Sequence, residues 1–113
     1  MHEQSIVESL LTIAIENAEK ANASRILRIY LVVGELSGVV EESMDFYFSF
    51  LRKNTIADGA SIMYNRIPAR LRCRKCDIVF TAENSDFRCP ECQEQQIEIV
   101  GGRELYIESL EVE

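Results

Sequence analysis

The sequence is short of several features that catalysis or membrane insertion requires. It contains a single histidine, and no apolar run approaches the roughly 18 residues of a membrane-spanning helix. One histidine gives little basis for a Ser-His or Cys-His nucleophile. The glycine-containing stretch at residues 34–38 is too short for a phosphate-binding loop and lacks its lysine. We therefore expect neither a membrane protein nor an enzyme.

Basic residues are also scarce. The 113 residues include 12 basic and 19 acidic side chains, for a formal charge of −7. Nonspecific nucleic-acid binding relies on Lys and Arg to displace counterions, so this composition argues against that class of function. The first ten residues lack the basic start and small-residue cleavage site of a secretory signal. We expect a cytoplasmic protein, in which thiols stay reduced.

Hydrophobic periodicity predicts two helices and three strands. Apolar residues recur at helical spacing over residues 5–21 and 41–53. Runs of β-branched, aromatic or alternating residues at 26–33, 60–67 and 103–112 predict strands. The second helix holds four of the nine aromatic residues. We expect that helix to supply much of the core.

The cysteine-containing segment, residues 70–100, lies between the second and third strands and has few large apolar residues. It cannot fold on core burial alone. The predicted fold is α+β, with two helices packed on a small, mostly antiparallel three-stranded sheet and an inserted four-cysteine, zinc-ribbon-like knuckle. We expect two domains, residues 1–69 with 101–113 and residues 70–100.

The four cysteines form two CxxC pairs, Cys73 with Cys76 and Cys89 with Cys92, separated by twelve residues. Two such turns can place four sulfurs tetrahedrally at about 2.3 Å from one zinc ion. A site with four protein ligands is closed, so it stabilises the fold and leaves no position for a substrate. Disulfide formation or thiol–disulfide exchange is the alternative, but two evenly matched pairs favour metal.

Five cations surround the cysteines: Arg70, Arg72, Arg74, Lys75 and Arg88. Such a rim would suit an RNA- or DNA-binding ribbon. Four carboxylates interleave with it, however, and no exposed aromatic pair suggests a stacking platform. The interleaved carboxylates are Asp77, Glu83, Asp86 and Glu91. We interpret the cations as neutralising the anionic metal–thiolate centre.

The lone histidine occupies position 2. The amine of Met1, the amide nitrogen of His2 and the His2 imidazole can close five- and six-membered chelate rings on one ion. Nitrogen-rich, near-planar coordination suits Ni(II) or Cu(II). From these residues alone, a frayed polar terminus is the competing interpretation.

Several motifs occur together in a fixed order. They are Met1-His2-Glu3 with Ser5, VGELSGV at 33–39 followed by Glu42-Ser43, the CxxC pairs with Cys89-Pro90-x-Cys92, and GRELYIESLEVE at 102–113. In this order and spacing the chain resembles, from first residue to last, the HypA/HybF family. Members of that family are nickel-insertion accessory proteins for [NiFe]-hydrogenase maturation.

The resemblance implies a nickel metallochaperone. It implies that Met1, His2 and Glu3 form the nickel site, with His2 as the indispensable side chain, while the four cysteines hold structural zinc. It also implies a HypB-type GTPase as partner and delivery of Ni(II) to the hydrogenase large subunit. Some members also serve urease, which adds the urease accessory protein as a partner. Some relatives add an aspartate ligand just after the SG turn. In this sequence the residues after the SG turn are Val39-Val40-Glu41-Glu42, so Glu41 is only a candidate for that ligand.

Two questions stay open at this point. The alternative function is a zinc-ribbon protein-interaction or nucleic-acid-binding module that carries no second metal. The third predicted strand could also pair with a neighbouring chain, which leaves a homodimer or domain swapping open.

Overall fold

The computed structural model describes residues 3–82 and 87–113. They form, in chain order, α1 (Glu3–Lys20), β1 (Ile26–Gly34), α2 (Glu41–Leu51), β2 (Ser61–Ile67), β3 (Arg70–Cys73), β4 (Val79–Thr81), β5 (Ile97–Gly101) and β6 (Leu105–Val112). Within those residues, neither helix has the length and apolar character needed to cross a membrane.

Both predicted helices are present, and their ends differ from the prediction by one or two residues. Helix α1 begins two residues earlier than periodicity suggested, and α2 ends two residues earlier. After α1, Asn22 adopts a left-handed conformation with φ of 58°. The amide of Ala23 then donates to the carbonyl of Ala18 at 2.9 Å. This arrangement satisfies a free carbonyl of the last turn and stops the helix.

The first sheet has the strand order β2-β1-β6. Strand β6 runs antiparallel to β1, because hydrogen bonds join Ser24 to Glu113 and Gly34 to Glu104 at opposite ends of the pair. The third predicted strand therefore pairs with the first.

Strand β2 runs parallel to β1. Hydrogen bonds from Ile26 to the Ile56 carbonyl and from Glu35 to the Ile67 carbonyl flank the pair in the same order along both segments. Parallel pairing requires a crossover connection, and α2 lies in the chain between the two strands. The α+β prediction of two helices, a three-stranded sheet and a four-cysteine knuckle is confirmed.

The cysteine segment builds a second sheet of its own, which the hydrophobic pattern did not predict. Its strand order is β4-β3-β5, and both pairs are antiparallel. The three strands contain only three to five residues each. Runs of that length are too short for a period-2 pattern to stand out.

The chain divides into two compact units. The first comprises Met1–Val32, Gly38–Asn65 and Tyr106–Glu113, and the second comprises Val33–Ser37 and Arg66–Leu105. The second unit thus takes in five residues from the GELSG region as well as the cysteine segment.

Helix α2 contributes less aromatic surface to the core of the first unit than its composition suggested. Met44 and Phe48 are buried, whereas Phe46 and Phe50 are 57% and 53% exposed. The helix therefore supplies less of the core than expected, since its buried residues are Met44 and Phe48. Only one face of an amphipathic helix can be buried, and the two exposed rings, four residues apart, share the other face.

Candidate metal centres

The first CxxC motif forms a tight turn at the end of β3. The amide of Cys73 donates to the Ile78 carbonyl at 2.9 Å, and the amide of Asp77 donates back to the Cys73 carbonyl at 2.8 Å. Asp77 has a φ of 64°, a left-handed conformation that aspartate tolerates better than most residues. The turn therefore reverses the chain immediately after the second cysteine of the pair.

The second CxxC motif repeats the same geometry. The amide of Cys89 donates to the Glu94 carbonyl at 3.0 Å, and the amide of Gln93 donates to the Cys89 carbonyl at 2.9 Å. Gln93, four residues after the first cysteine as Asp77 is, also has a φ of 64°. The two pairs are thus presented by matching turns.

The four sulfurs lie within 4.8 Å of one another. The Sγ atoms of Cys73 and Cys92 are 3.6 Å apart. Sulfurs held tetrahedrally at about 2.3 Å from zinc stand about 3.8 Å from each other, so the cluster fits such an ion. Cys73 and Cys89 are buried, while Cys76 and Cys92 are more accessible. The geometry and the all-thiolate donor set fit a closed structural site.

The thiols differ in acidity. The amide of Cys76 donates to Cys73 Sγ at 3.4 Å, and this hydrogen bond lowers the pKa of the Cys73 thiol to about 7. Hydrogen bonding with Cys92 raises the pKa of Cys76 to about 12. Without a cation, four adjacent sulfurs cannot all ionise, because each thiolate repels the next. A divalent ion removes that conflict by taking the place of the protons.

The cations near the cluster pair with carboxylates. Arg72 forms ion pairs with Glu98 and with Asp77, the latter at 2.8 Å, and Lys75 lies 3.4 Å from Glu94. At least two of the five cations, Arg72 and Lys75, thus pair with carboxylates beside the cluster, while neutralisation of a metal–thiolate centre by the rim stays a prediction. Residues 83 and 86, two of the interleaved carboxylates noted in the sequence, lie outside the described residues.

The GELSG region is built into the base of the cysteine-containing unit. The amide of Gly34 donates to the Glu104 carbonyl at 2.7 Å, and the amide of Leu36 donates to the Gly102 carbonyl at 2.6 Å. A Cβ atom on Gly34 would stand 2.2 Å from the Gly102 oxygen. Only glycine allows two backbones to approach this closely.

Glu35 joins the same segment to the chain that enters β3. Its amide donates to the Ile67 carbonyl at 2.8 Å, and its Oε2 accepts a hydrogen bond from the Ala69 amide at 3.1 Å. The proline between them, Pro68, has no amide to donate. The Glu35 side chain thus serves as the acceptor for a backbone group of a buried residue. The sequence pattern indicated only a turn here and gave no sign of this role.

We expect Glu35→Ala to destabilise the cysteine-containing unit by about 1–3 kcal/mol, because the Ala69 amide loses its acceptor. Glu35→Gln keeps a side-chain oxygen and should lose less. The measurement is urea denaturation of zinc-loaded protein, with hydrogen exchange of the Ala69 amide as the local probe. Equal stability and unchanged exchange in Glu35→Ala would contradict this role.

Of the three residues that the resemblance assigns to the nickel site, the structure describes only Glu3. Met1 and His2 lie outside the described residues. Glu3 begins α1, and its Oε2 is 3.4 Å from the amide of Val40. Val40 is the N-cap of α2, and its apolar side chain makes no capping hydrogen bond. The structure therefore brings Glu3 to the start of α2, whose first residue is Glu41.

Together, the fold and the cysteine cluster define a small α+β metal-binding protein with a zinc-ribbon-like unit. A family model described as "Hydrogenase/urease nickel incorporation, metallochaperone, hypA" matches residues 1–112. The chain belongs to this HypA family of hydrogenase maturation metallochaperones.

Curated relatives agree along the whole chain. A hydrogenase maturation factor HypA from Dehalococcoides mccartyi is 46% identical over 113 residues, covering all of this chain and 95% of the relative. The HypA of Caldanaerobacter subterraneus subsp. tengcongensis is 40% identical over 114 residues, with both chains fully covered.

Solved structures show the same fold. The solution structure of the Ni metallochaperone HypA from Helicobacter pylori is similar with a TM-score of 0.68 and 27% identity, covering 99% of this chain and 97% of that one. A second HypA solution structure matches with a TM-score of 0.73 and 29% identity, over 99% and 96% of the two chains.

Proposed function

We propose that this protein binds one Ni(II) ion at its N-terminus and delivers it during maturation of [NiFe]-hydrogenase. The ligands would be the Met1 amine, the amide and imidazole nitrogens of His2, and the Glu3 carboxylate. Family membership supports the role, and the chemistry of the first three residues supports the site. The same delivery could extend to urease through its accessory protein, since the family description includes urease.

The observation that carries the nickel site is the position of Glu3. Its carboxylate lies 3.4 Å from the Val40 amide at the start of α2. A carboxylate has two oxygens with several lone pairs, so it can accept this bond and still ligate a metal. The contact would hold Glu3 against α2. The N-terminal residues would then lose less conformational entropy when they bind nickel.

We further propose that the four cysteines hold zinc and that nickel does not occupy this site. Zinc supplies folding free energy to the second unit when bound. Residues 1–69 with 101–113 would act as the nickel-binding domain and residues 70–100 as the zinc-binding domain. Nickel, as cargo, must leave, and a terminal chelate is easier to dismantle than a closed site of four thiolates.

Delivery would need partners. The chain carries no phosphate-binding loop with its lysine. We propose that a HypB-type GTPase supplies nucleotide hydrolysis and that the hydrogenase large subunit receives the metal, both in the cytoplasm. This scheme operates equally from a monomer or a homodimer.

The test is nickel titration of untagged, zinc-loaded protein by calorimetry. Wild type should bind one Ni(II), and His2→Ala should lose at least roughly 100-fold in affinity because a ring of the chelate is removed. Zinc content and the circular dichroism spectrum should not change. Acidification should also weaken nickel binding, since the amine and imidazole bind metal only when deprotonated.

Gln4→Ala is the matched control, because Gln4 is exposed and one residue beyond the proposed ligands. It should bind nickel as wild type does. Unchanged nickel affinity in His2→Ala would overturn the proposal. A preparation that holds one zinc and takes up no nickel would support the zinc-ribbon interaction module instead.

A further inference from the structure

The outer edge of β6 is open. In the part of the chain from 3 to 82 and 87 to 113, β6 pairs with β1 on one side and with no strand on the other. It is eight residues long and contains neither proline nor lysine, two of the residues that usually protect a sheet edge. Its unpaired amides and carbonyls form a template for another extended chain.

A groove runs beside this edge, between α1 and β6. It has a volume of about 320 Å³ and is lined by Ile13, Ala14 and Asn17 from α1 and by residues 107–110 of β6. Ile13 is 50% exposed, and Tyr106 near one end of the strand is 51% exposed. An added strand could therefore bury apolar side chains in the groove while its backbone pairs with β6.

The negative charge along this edge favours a basic binding partner. Residues 105–113 contain three glutamates and no basic residue. The Glu111 carboxylate is engaged by Arg28 and by the Tyr30 hydroxyl. Glu108 lines the groove, and its carboxylate forms no ion pair among the described residues. A second copy of β6 would bring further carboxylates to this edge, which is unfavourable.

We infer that the β6 edge and its groove are a docking surface for an extended basic segment of a partner protein. The segment adds a strand beside β6, places alternate apolar side chains in the groove, and sets a Lys or Arg against Glu108. This surface does not depend on nickel binding, and none of the proposed nickel or zinc ligands takes part in it.

The test uses a capped octapeptide that alternates valine and lysine, titrated into zinc-loaded protein and followed by amide chemical shifts. We expect saturable shifts at residues 13–17 and 106–112, together with new hydrogen-exchange protection in β6. Glu108→Lys should weaken binding roughly 3- to 10-fold by reversing one surface charge. Nickel titration of the same samples should be unaffected.

Two controls separate the surface from general acidity. Glu19→Lys reverses an exposed charge on α1 outside the groove lining and should bind the peptide nearly as wild type does. A valine–glutamate octapeptide should not bind. Equal weakening by both variants, binding of both peptides, or no saturable shifts would overturn the inference. Concentration-dependent dimerisation that protects β6 without peptide would do so as well, because a second copy would then be the occupant.

Discussion

Cys89→Ser should abolish zinc binding and unfold the cysteine-containing unit while the first unit stays folded. Structural zinc contributes an apparent binding free energy of about 10–16 kcal/mol near neutral pH. The unit has little else to hold it, since the buried apolar residues of its main segment are Ala69, Leu71, Cys73 and Cys89. Two of these four, Cys73 and Cys89, belong to the cysteine cluster itself. We expect the loss of one ligand to exceed the remaining stability.

The measurement is zinc content combined with a two-dimensional amide NMR spectrum. Resonances of residues 70–101 should lose their dispersion, and those of α1 and α2 should keep it. Glu91→Ser is the control, because Glu91 is exposed and lies between the two cysteines of the second pair. Retention of one zinc per chain and a dispersed spectrum in Cys89→Ser would show that the site does not carry the fold of this unit.

Gly34→Ala should cost about 3 kcal/mol of folding free energy, at the upper end of the usual penalty for overpacking. The new Cβ would lie 2.2 Å from the Gly102 oxygen and 2.6 Å from the Glu104 nitrogen. Both are backbone atoms, which cannot rotate away as a side chain can. The chains must separate, and the hydrogen bond from the Gly34 amide to the Glu104 carbonyl, 2.7 Å long, would lengthen or break.

Gly59→Ala provides the comparison, measured in the same denaturation series. Gly59 has a φ of +85°, and no atom lies within 4 Å of the position that a new methyl group would take. The substitution therefore introduces backbone strain without a clash, and we expect a loss of about 1–2 kcal/mol. If Gly34→Ala proved no more costly than Gly59→Ala, the close backbone approach at Gly34 would not be a determinant of stability.

Local patterns predicted most of the secondary structure and the cluster of four cysteines. Helical periodicity located α1 and α2 because each buries one face, and the spacing of the four cysteines was sufficient to predict a cluster. A CxxC pair closes within a single turn, so its geometry depends on few residues outside the motif. The repeated left-handed residue after each pair, Asp77 and Gln93, belongs to the same local geometry.

Interactions between distant segments were not predictable in this way. The sequence does not indicate that Glu35 accepts a hydrogen bond from the Ala69 amide, or that Glu3 reaches the amide of Val40. Nor does a helical pattern distinguish Phe48, which is buried, from Phe46, which is exposed. Aromatic residues satisfy the same hydrophobic pattern on either face, and only the neighbouring elements decide which face is covered.

The sequence by itself determined the two helices, the main strands and the cysteine cluster, because each depends on covalent spacing over a few positions. Tertiary structure alone decided that residues 33–37 join the cysteine-containing unit and that, among the described residues, β6 leaves one edge open. The tertiary structure also brings Gly34 so close to the backbone of Gly102 that a Cβ atom would clash there. Such contacts depend on the path of the whole chain, which no short pattern encodes.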